Sequence, residues 1–265
     1  MEIIKNIKDL NKAIKDFKNF GFVPTMGGIH KGHISLIIKS QKKCKKTIVS
    51  LFVNPTQFNE RKDFDNYPRN FKKDLKILNI HNVDYVFMPT AKTIYKTKNR
   101  KFKILKKDKI LCAVFRKGHF EGVLNVMDRL LSIIKSKNVF MGEKDYQQIF
   151  LIKKYLSKKH KTKIINCKTI RDKNKVALST RNYLLTKKNY SKVSLISKFL
   201  LKLRRNKKKS INFNETIKYL EKNYKIKIEY LEFRNENNLL LSDFRKKYRL
   251  FVAYKIGKIR LIDNF

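Results

Sequence analysis

Three short segments concentrate residue types able to bind or activate an anion. In Pro24-Thr25-Met26-Gly27-Gly28-Ile29-His30-Lys31-Gly32-His33, three glycines permit a tight turn and close backbone approach, and two imidazoles stand three residues apart where a helix begins. A helix start presents unpaired backbone N–H groups, and imidazoles near neutral pH can donate to phosphate oxygens and stabilise charge developing during nucleotidyl transfer. The same spacing also suits a turn carrying surface rings, or a metal pair lacking a third ligand in the segment. Met141-Gly142-Glu143-Lys144-Asp145-Tyr146-Gln147-Gln148 offers Lys144 as a mobile point charge for a phosphate and Asp145 as an acceptor for ribose hydroxyls. If the segment is helical, Gln148 lies one turn beyond Lys144 on the same face. Ser179-Thr180-Arg181-Asn182 supplies two hydroxyls and a guanidinium, groups suited to clamping a triphosphate. Two further runs are less specific. Asn54-Pro55-Thr56-Gln57-Phe58, followed by Tyr67-Pro68-Arg69, holds neutral amides that can orient a small hydroxylated substrate without adding charge. Arg116-Lys117-Gly118-His119-Phe120 sets a cation, a glycine and a histidine ahead of a helix.

Positioning these groups requires an alternation of strands and helices, and the apolar pattern supplies it. Residues 20–25, 46–53 and 83–89 read as strands; about 32–43 and 70–81 read as helices between them, with LNVMDRLLSIIK a further helix, NVFMG a strand and 144–159 another helix. The strands are nearly continuous in apolar residues, as expected of parallel strands covered by helices on both faces, which makes the fold class α/β. The polar, glycine-containing segments fall at strand ends, where open α/β sheets place ligands. After KTKIINCKTI at 161–170 the pattern changes: a helix with Thr186 as N-cap, a second helix over about 213–223, the strand KIEYLEFR, and a pair in YRLFVAYKIGKIRLID with its corner at Lys255-Ile256-Gly257. The reading is a domain over 1–170 and a smaller α+β domain over 171–265. The N-terminal MEIIKNIKDLNKAIKDF reads as an amphipathic helix, unlike a signal peptide.

Composition narrows the function classes. The chain has 265 residues and a formal net charge of +44 from 65 basic and 21 acidic residues. Such a charge ordinarily points to an anionic partner such as nucleic acid. Yet Lys outnumbers Arg 52 to 13, whereas a groove reading phosphates or bases would favour the Arg fork, and 29 Ile and 24 Asn accompany the lysines. We read the charge as compositional bias spread over solvated surfaces, with KLRRNKKKS at 202–210 a basic helix end and loop, and assign no dedicated nucleic-acid partner. Apolar runs are broken by charge well before the ~18 residues of a membrane span, so no membrane association is expected. Cys44, Cys112 and Cys167 lie far apart with no ligand spacing between them, which supports neither a disulfide framework nor a zinc site and reads as buried thiols, with a reducing cytoplasm as the expectation.

Taken together, the blocks resemble the pantoate–β-alanine ligase family of His-x-x-His nucleotidyltransferases. PTMGGIHKGH, FVNPTQF with YPRN, RKGHFEGV, GEKDYQQ and LSTRN follow one another in that family's order, and the closing LEFR and RLIDN segments are similar to its C-terminal domain. The resemblance implies a Rossmann-like N-terminal domain with a parallel sheet, a smaller domain closing over the site, and a homodimer. It implies ATP as substrate with Mg²⁺, and condensation of pantoate with β-alanine through pantoyl adenylate. Carried over residue by residue, His30, His33, Lys144 and Arg181 serve catalysis; Met26, Gly27, Gly142, Asp145, Ser179 and Thr180 join them around ATP. Met26, Gln57, Tyr67, His119 and Gln148 border the pantoate end, and metal ligands are unassigned. Thr180 stands where the family usually has a second Ser, Leu178 replaces a common Met, and Gly28, Lys31 and Lys117 also depart from the usual residues. The pocket groups remain while the rim becomes more basic or more flexible.

Overall fold

The computed structural model describes residues 1–17, 19–96, 102–205 and 211–265. The chain divides into two compact units, Met1–Glu143 with Gln148–Lys168, and Lys144–Gln147 with Thr169–Phe265.

The first unit is built on six parallel strands: β1 (Glu2–Ile4), β2 (Phe20–Thr25), β3 (Lys46–Leu51), β4 (Tyr85–Phe87), β5 (Asn138–Gly142) and β6 (Lys163–Cys167), in the spatial order β1-β4-β3-β2-β5-β6. Phe22, Val23, Ile48, Val49, Val86, Phe87, Val139 and Phe140 are all fully buried, so the central strands lose both faces to packing as their apolar runs predict. Helices Lys31–Lys43 and Phe71–Ile80 link β2 to β3 and β3 to β4, and Ile34, Leu36, Ile37 and Leu78 join the core cluster. Strands β3, β4 and β1 lie to one side of β2 and β5 and β6 to the other. The strand order therefore reverses between β2 and β5, the switch point at which open α/β sheets bind ligands. Met26 follows the carboxyl end of β2, and Gly142 closes β5.

Two local expectations are corrected. The N-terminus is not one helix: Glu2, Ile3 and Ile4 pair with Tyr85, Val86 and Phe87 as an edge strand, Ile4 is buried, and Asn6 restarts the chain as the N-cap of helix Ile7–Ile14, accepting from the Asp9 amide at 2.9 Å. The 144–159 segment is not one helix either. A 3₁₀ turn at Glu143–Asp145 precedes helix Tyr146–Ile152, which widens to a π-helical turn at Lys153–Ser157. That widening accompanies a tertiary anchor: the Asp108 carboxylate, itself buried, accepts from Lys154 Nζ at 2.6 Å and Tyr155 OH at 2.6 Å.

The second unit carries an antiparallel sheet, β7 (Lys227–Asn235), β8 (Tyr248–Ile256) and β9 (Ile259–Asn264), with helices Lys187–Arg205 and Phe213–Tyr224. Val193, Ile196 and Leu200 from one helix and Leu220 from the other meet Leu231, Phe233, Leu250 and Val252 in one apolar cluster. Thr186 Oγ1 accepts from the Asn189 amide at 3.2 Å, the expected cap. The β8–β9 turn falls at Gly257-Lys258, one step beyond the expected corner, because φ of +57° at Gly257 meets the glycine position of a type II′ turn. The basic run at 202–210 begins as helix to Arg205; 206–210 lie outside the described residues. An α/β parallel sheet of Rossmann-like order plus a smaller α+β unit is the class read from the sequence. Among the described residues no helix is long and apolar enough to cross a membrane. Cys44, Cys112 and Cys167 are all buried.

Candidate active site

In the first unit, one group of candidate residues grows from the end of β2. Gly27 and Gly28 adopt φ of +84° and +65°, a reversal that side-chain-bearing residues resist. The turn is held by Asp74, buried at 2% exposure on helix Phe71–Ile80, whose carboxylate accepts from the Gly28 amide at 2.9 Å and the Ile29 amide at 2.8 Å. These are charge-assisted bonds, roughly twice as strong as neutral ones. His30 then caps helix Lys31–Lys43. Its Nδ1 accepts from the Gly32 amide at 3.1 Å, His33 Nδ1 accepts from the His30 amide at 3.3 Å, and the ring centroids are 4.1 Å apart. Because both Nδ1 atoms accept, the proton of each neutral ring sits on Nε2, the tautomer that gives a hydrogen bond from the far edge of the imidazole. A pair used this way serves an anion better than a metal, since an imidazole must spend a lone pair on the ion.

The second feature of this unit is a polar hub on Gln57. Gln57 Nε2 donates to Met26 Sδ at 2.8 Å and Gln57 Oε1 accepts from Asn54 Nδ2 at 3.1 Å. Its backbone carbonyl lies 2.7 Å from His119 Nδ1 and accepts from Arg116 at 3.3 Å. A carbonyl only accepts, so His119 carries its proton on Nδ1 and its Nε2 accepts from Arg116, 3.0 Å away. His119 begins helix His119–Ile134, and that helix reaches the Asn54–Gln57 turn so closely that a Cβ on Gly122 would stand 2.2 Å from the Thr56 carbonyl oxygen. Met26, Gln57 and His119 are thus brought together. Tyr67 packs edge-on against Phe58 at 5.6 Å, in a cluster with Phe64. Gln148 lies half-buried on helix Tyr146–Ile152, in the same unit.

In the second unit, Lys144 Nζ donates to Asp145 Oδ1 at 3.3 Å, and the Lys144 carbonyl accepts from Asn264 Nδ2 at 2.9 Å. Tyr146 OH donates to the Glu236 carbonyl at 3.2 Å, and its ring sits edge-on to Phe251 and 4.4 Å from the Arg249 guanidinium. These contacts attach the Lys144–Gln147 segment to the β8–β9 sheet. Lys144 stands in the 3₁₀ turn that precedes helix Tyr146–Ile152, on which Gln148 lies. Arg171 grips the Asp263 carboxylate with both arms at 2.7 and 2.9 Å and lies 4.4 Å from the Phe265 ring. From it a loop folded around Asp172 leads to Ser179, whose hydroxyl accepts from the Arg181 amide at 3.3 Å; Thr180 is buried, and Arg181 donates to the Arg260 carbonyl at 3.2 Å.

The sequence model of the pantoate–β-alanine ligase family matches residues 2–265. The chain belongs to that family. Among similar sequences, the pantothenate synthetase of Endomicrobium trichonymphae is 41% identical over all of this chain and 97% of its own length, and that of Francisella tularensis subsp. novicida is 40% identical with the same two coverages. The crystal structure of pantoate-β-alanine ligase from Francisella tularensis complexed with β-γ ATP and β-alanine superposes with a TM-score of 0.86 at 38% identity, covering all of this chain and 97% of that one. The crystal structure of pantothenate synthetase from Thermus thermophilus gives 0.91 at 28% identity, covering 100% and 99%.

For this ligase the sequence reading missed Asp74, Asn54's full set of partners, Gly122 and Arg171. Asp74 carried no local signal, since an aspartate in the first turn of a helix is ordinarily a favourable dipole partner at the surface. Gly122 is the fourth residue of helix His119–Ile134, and a glycine within a helix costs about 1 kcal/mol relative to Ala. That cost, in a segment otherwise rich in helix formers, was the available hint of a close approach.

Proposed function

We propose that the protein joins pantoate to β-alanine at the expense of ATP, releasing AMP and pyrophosphate. In the first step a pantoate carboxylate oxygen attacks the α-phosphorus and pyrophosphate leaves, giving pantoyl adenylate. In the second the β-alanine amine attacks the activated carbonyl, loses a proton as the amide forms, and expels AMP. Both nucleophiles belong to substrates, so the protein's task is alignment and charge stabilisation.

The observation that carries this reading is that one loop presents both ends of such a site. His30 and His33, locked in the Nε2–H tautomer by reciprocal capping, offer donors to an anion, and Met26 four residues earlier touches the Gln57 amide that suits a small hydroxylated acid. His30 and His33 stabilise the charge of the departing phosphates. Lys144 and Arg181 add cations, Ser179 and Thr180 hydroxyls for the phosphate end, and Asp145 an acceptor for the ribose, with Gly27 and Gly142 allowing close backbone approach. Gln57 and Gln148 orient pantoate against Met26, and Tyr67 and His119 border that end. Residues 171–265 close over ATP in this reading, and the active species is a homodimer in the cytoplasm.

Among the described residues no three His, Cys, Asp or Glu side chains form a cation cage. Mg²⁺ fits here in its usual manner, held chiefly by substrate phosphates, where it supplies charge neutralisation. The test is product analysis with purified protein, ATP, Mg²⁺, pantoate and β-alanine. Pantothenate, AMP and pyrophosphate in equal amounts are expected; ADP with inorganic phosphate, or no amide product from folded protein, rejects the reading.

A further inference from the structure

Asn54 is almost fully buried, and its Oδ1 collects three donors: the Thr56 amide at 3.2 Å, Thr56 Oγ1 at 3.0 Å and Tyr95 OH at 2.6 Å. Exchanging that oxygen for the –NH₂ would set donors against donors, so the amide has one orientation. Its Nδ2 is thereby committed to the opposite side, donating to Gln57 Oε1 at 3.1 Å and to the Gly122 carbonyl at 3.3 Å. That commitment in turn fixes the Gln57 amide, oxygen towards Asn54 and Nε2 towards Met26. Of the three donors the shortest comes from outside the 54–57 turn. Tyr95 follows the short helix Ala91–Ile94, and its ring is held by the Arg129 guanidinium 5.0 Å away, which itself donates to the Ile94 carbonyl at 3.0 Å and the Asn125 side chain at 3.1 Å. Burial pushes the Tyr95 phenol above its ordinary value, which keeps it in the donor form.

We infer that Tyr95 is a positioning residue that, acting through Asn54, sets the amide orientation of Gln57 so that the pocket presents pantoate with an N–H donor in place of a carbonyl oxygen. The inference rests on the proposed contact between Gln57 and pantoate. It explains why a tyrosine outside the 54–57 turn is locked so tightly beside it. It also states what the pocket selects: a ligand oxygen able to accept.

The test is a double-mutant cycle in steady-state kinetics, with thermal midpoints recorded for each variant. Tyr95→Phe keeps the ring and removes the hydroxyl that bonds Asn54 Oδ1 at 2.6 Å and lies 3.1 Å from Thr56 Oγ1, so the KM for pantoate rises roughly five- to tenfold while the KM for ATP stays within about twofold. In a Gln57→Ala background the same change has almost no further effect, because a residue acting through another loses its effect when that other is absent. Full multiplication of the two effects, or equal movement of both KM values, makes Tyr95 a general structural residue and overturns the inference. A Gln57→Ala enzyme with normal KM for pantoate overturns the reading of Gln57 itself; a large Gln57→Ala effect with a silent Tyr95→Phe overturns only the role of Tyr95. Asn54→Asp is the second probe. It keeps the acceptor for Tyr95 and removes the donor to Gln57, so the KM for pantoate rises at least tenfold, and an unchanged value refutes the chain of bonds.

Discussion

Gly122→Ala puts the central geometry under the sharpest strain. A methyl group there would stand 2.2 Å from the Thr56 carbonyl oxygen, 2.7 Å from its carbon and 3.0 Å from Gln57 Cα, and every one of these atoms is backbone. No rotamer relieves the clash. Ordinary contact begins at 3.4 Å, so the Pro55–Gln57 turn and the helix must separate by roughly 1 Å, a misplacement that can cost about 10² in rate. The separation also lengthens the bonds that His119 and Arg116 make to the Gln57 carbonyl and that Asn54 makes to Gly122. We expect kcat/KM for pantoate to fall about 10²-fold in pantoate-dependent pyrophosphate–ATP exchange. Overpacking should lower stability by about 1–3 kcal/mol, read as a drop of several degrees in the thermal midpoint. The KM for ATP should move much less. Folded Gly122→Ala protein with kcat/KM for pantoate within about threefold of wild type would refute the claim that this contact sets the position of Gln57.

Other perturbations test separate parts of the account. His33→Ala and Lys144→Ala should each slow adenylate formation by a factor on the order of 10², with a smaller effect on the aminolysis step; single-turnover release of pyrophosphate at a near-normal rate contradicts those roles. Burial alone would raise the Asp128 carboxyl, but hydrogen bonds from Lys159 and His160 outweigh it and hold the group below its ordinary 3.8. Because the folded-state pKa is depressed, its contribution is complete above the ordinary carboxylate range and lost as pH falls through the folded value. Asp128→Asn should therefore cost about 3 kcal/mol at pH 7, with the gap to wild type narrowing in acid; urea midpoints across pH that show a constant gap exclude this. Arg171→Lys loses the two-armed grip on Asp263 and should lower the thermal midpoint without changing the KM for pantoate, which a substrate titration of the folded variant checks.

The sheet was legible because buried parallel strands must be apolar throughout, and the runs at Phe20–Thr25, Lys46–Leu51 and Asn138–Gly142 carry that signature with helical patterns between them. The site segments were legible because glycines, histidines and amides gathered where those runs end. What escaped the sequence is set by tertiary contact. Three residues at β1 become a strand only because the edge of β4 is there to pair with. The helix after Asp145 widens where Lys154 and Tyr155 find Asp108. Asp74, Tyr95 and Gly122 each act on the site from an element distant in sequence, through two amides, a phenol and a missing methyl group, and none of these leaves a periodic trace.

The central claim is that pantoate is activated as an acyl adenylate, and oxygen tracing tests it most directly. When the α-phosphorus is attacked by the pantoate carboxylate and the amine later cleaves the acyl C–O bond, one carboxylate oxygen must end on the phosphate of AMP. With pantoate labelled in both carboxylate oxygens with ¹⁸O, ATP and β-alanine, the account predicts one ¹⁸O atom in each AMP released and one retained in the amide carbonyl of pantothenate. Label appearing in inorganic phosphate or pyrophosphate, or AMP free of label while pantothenate forms, would contradict it.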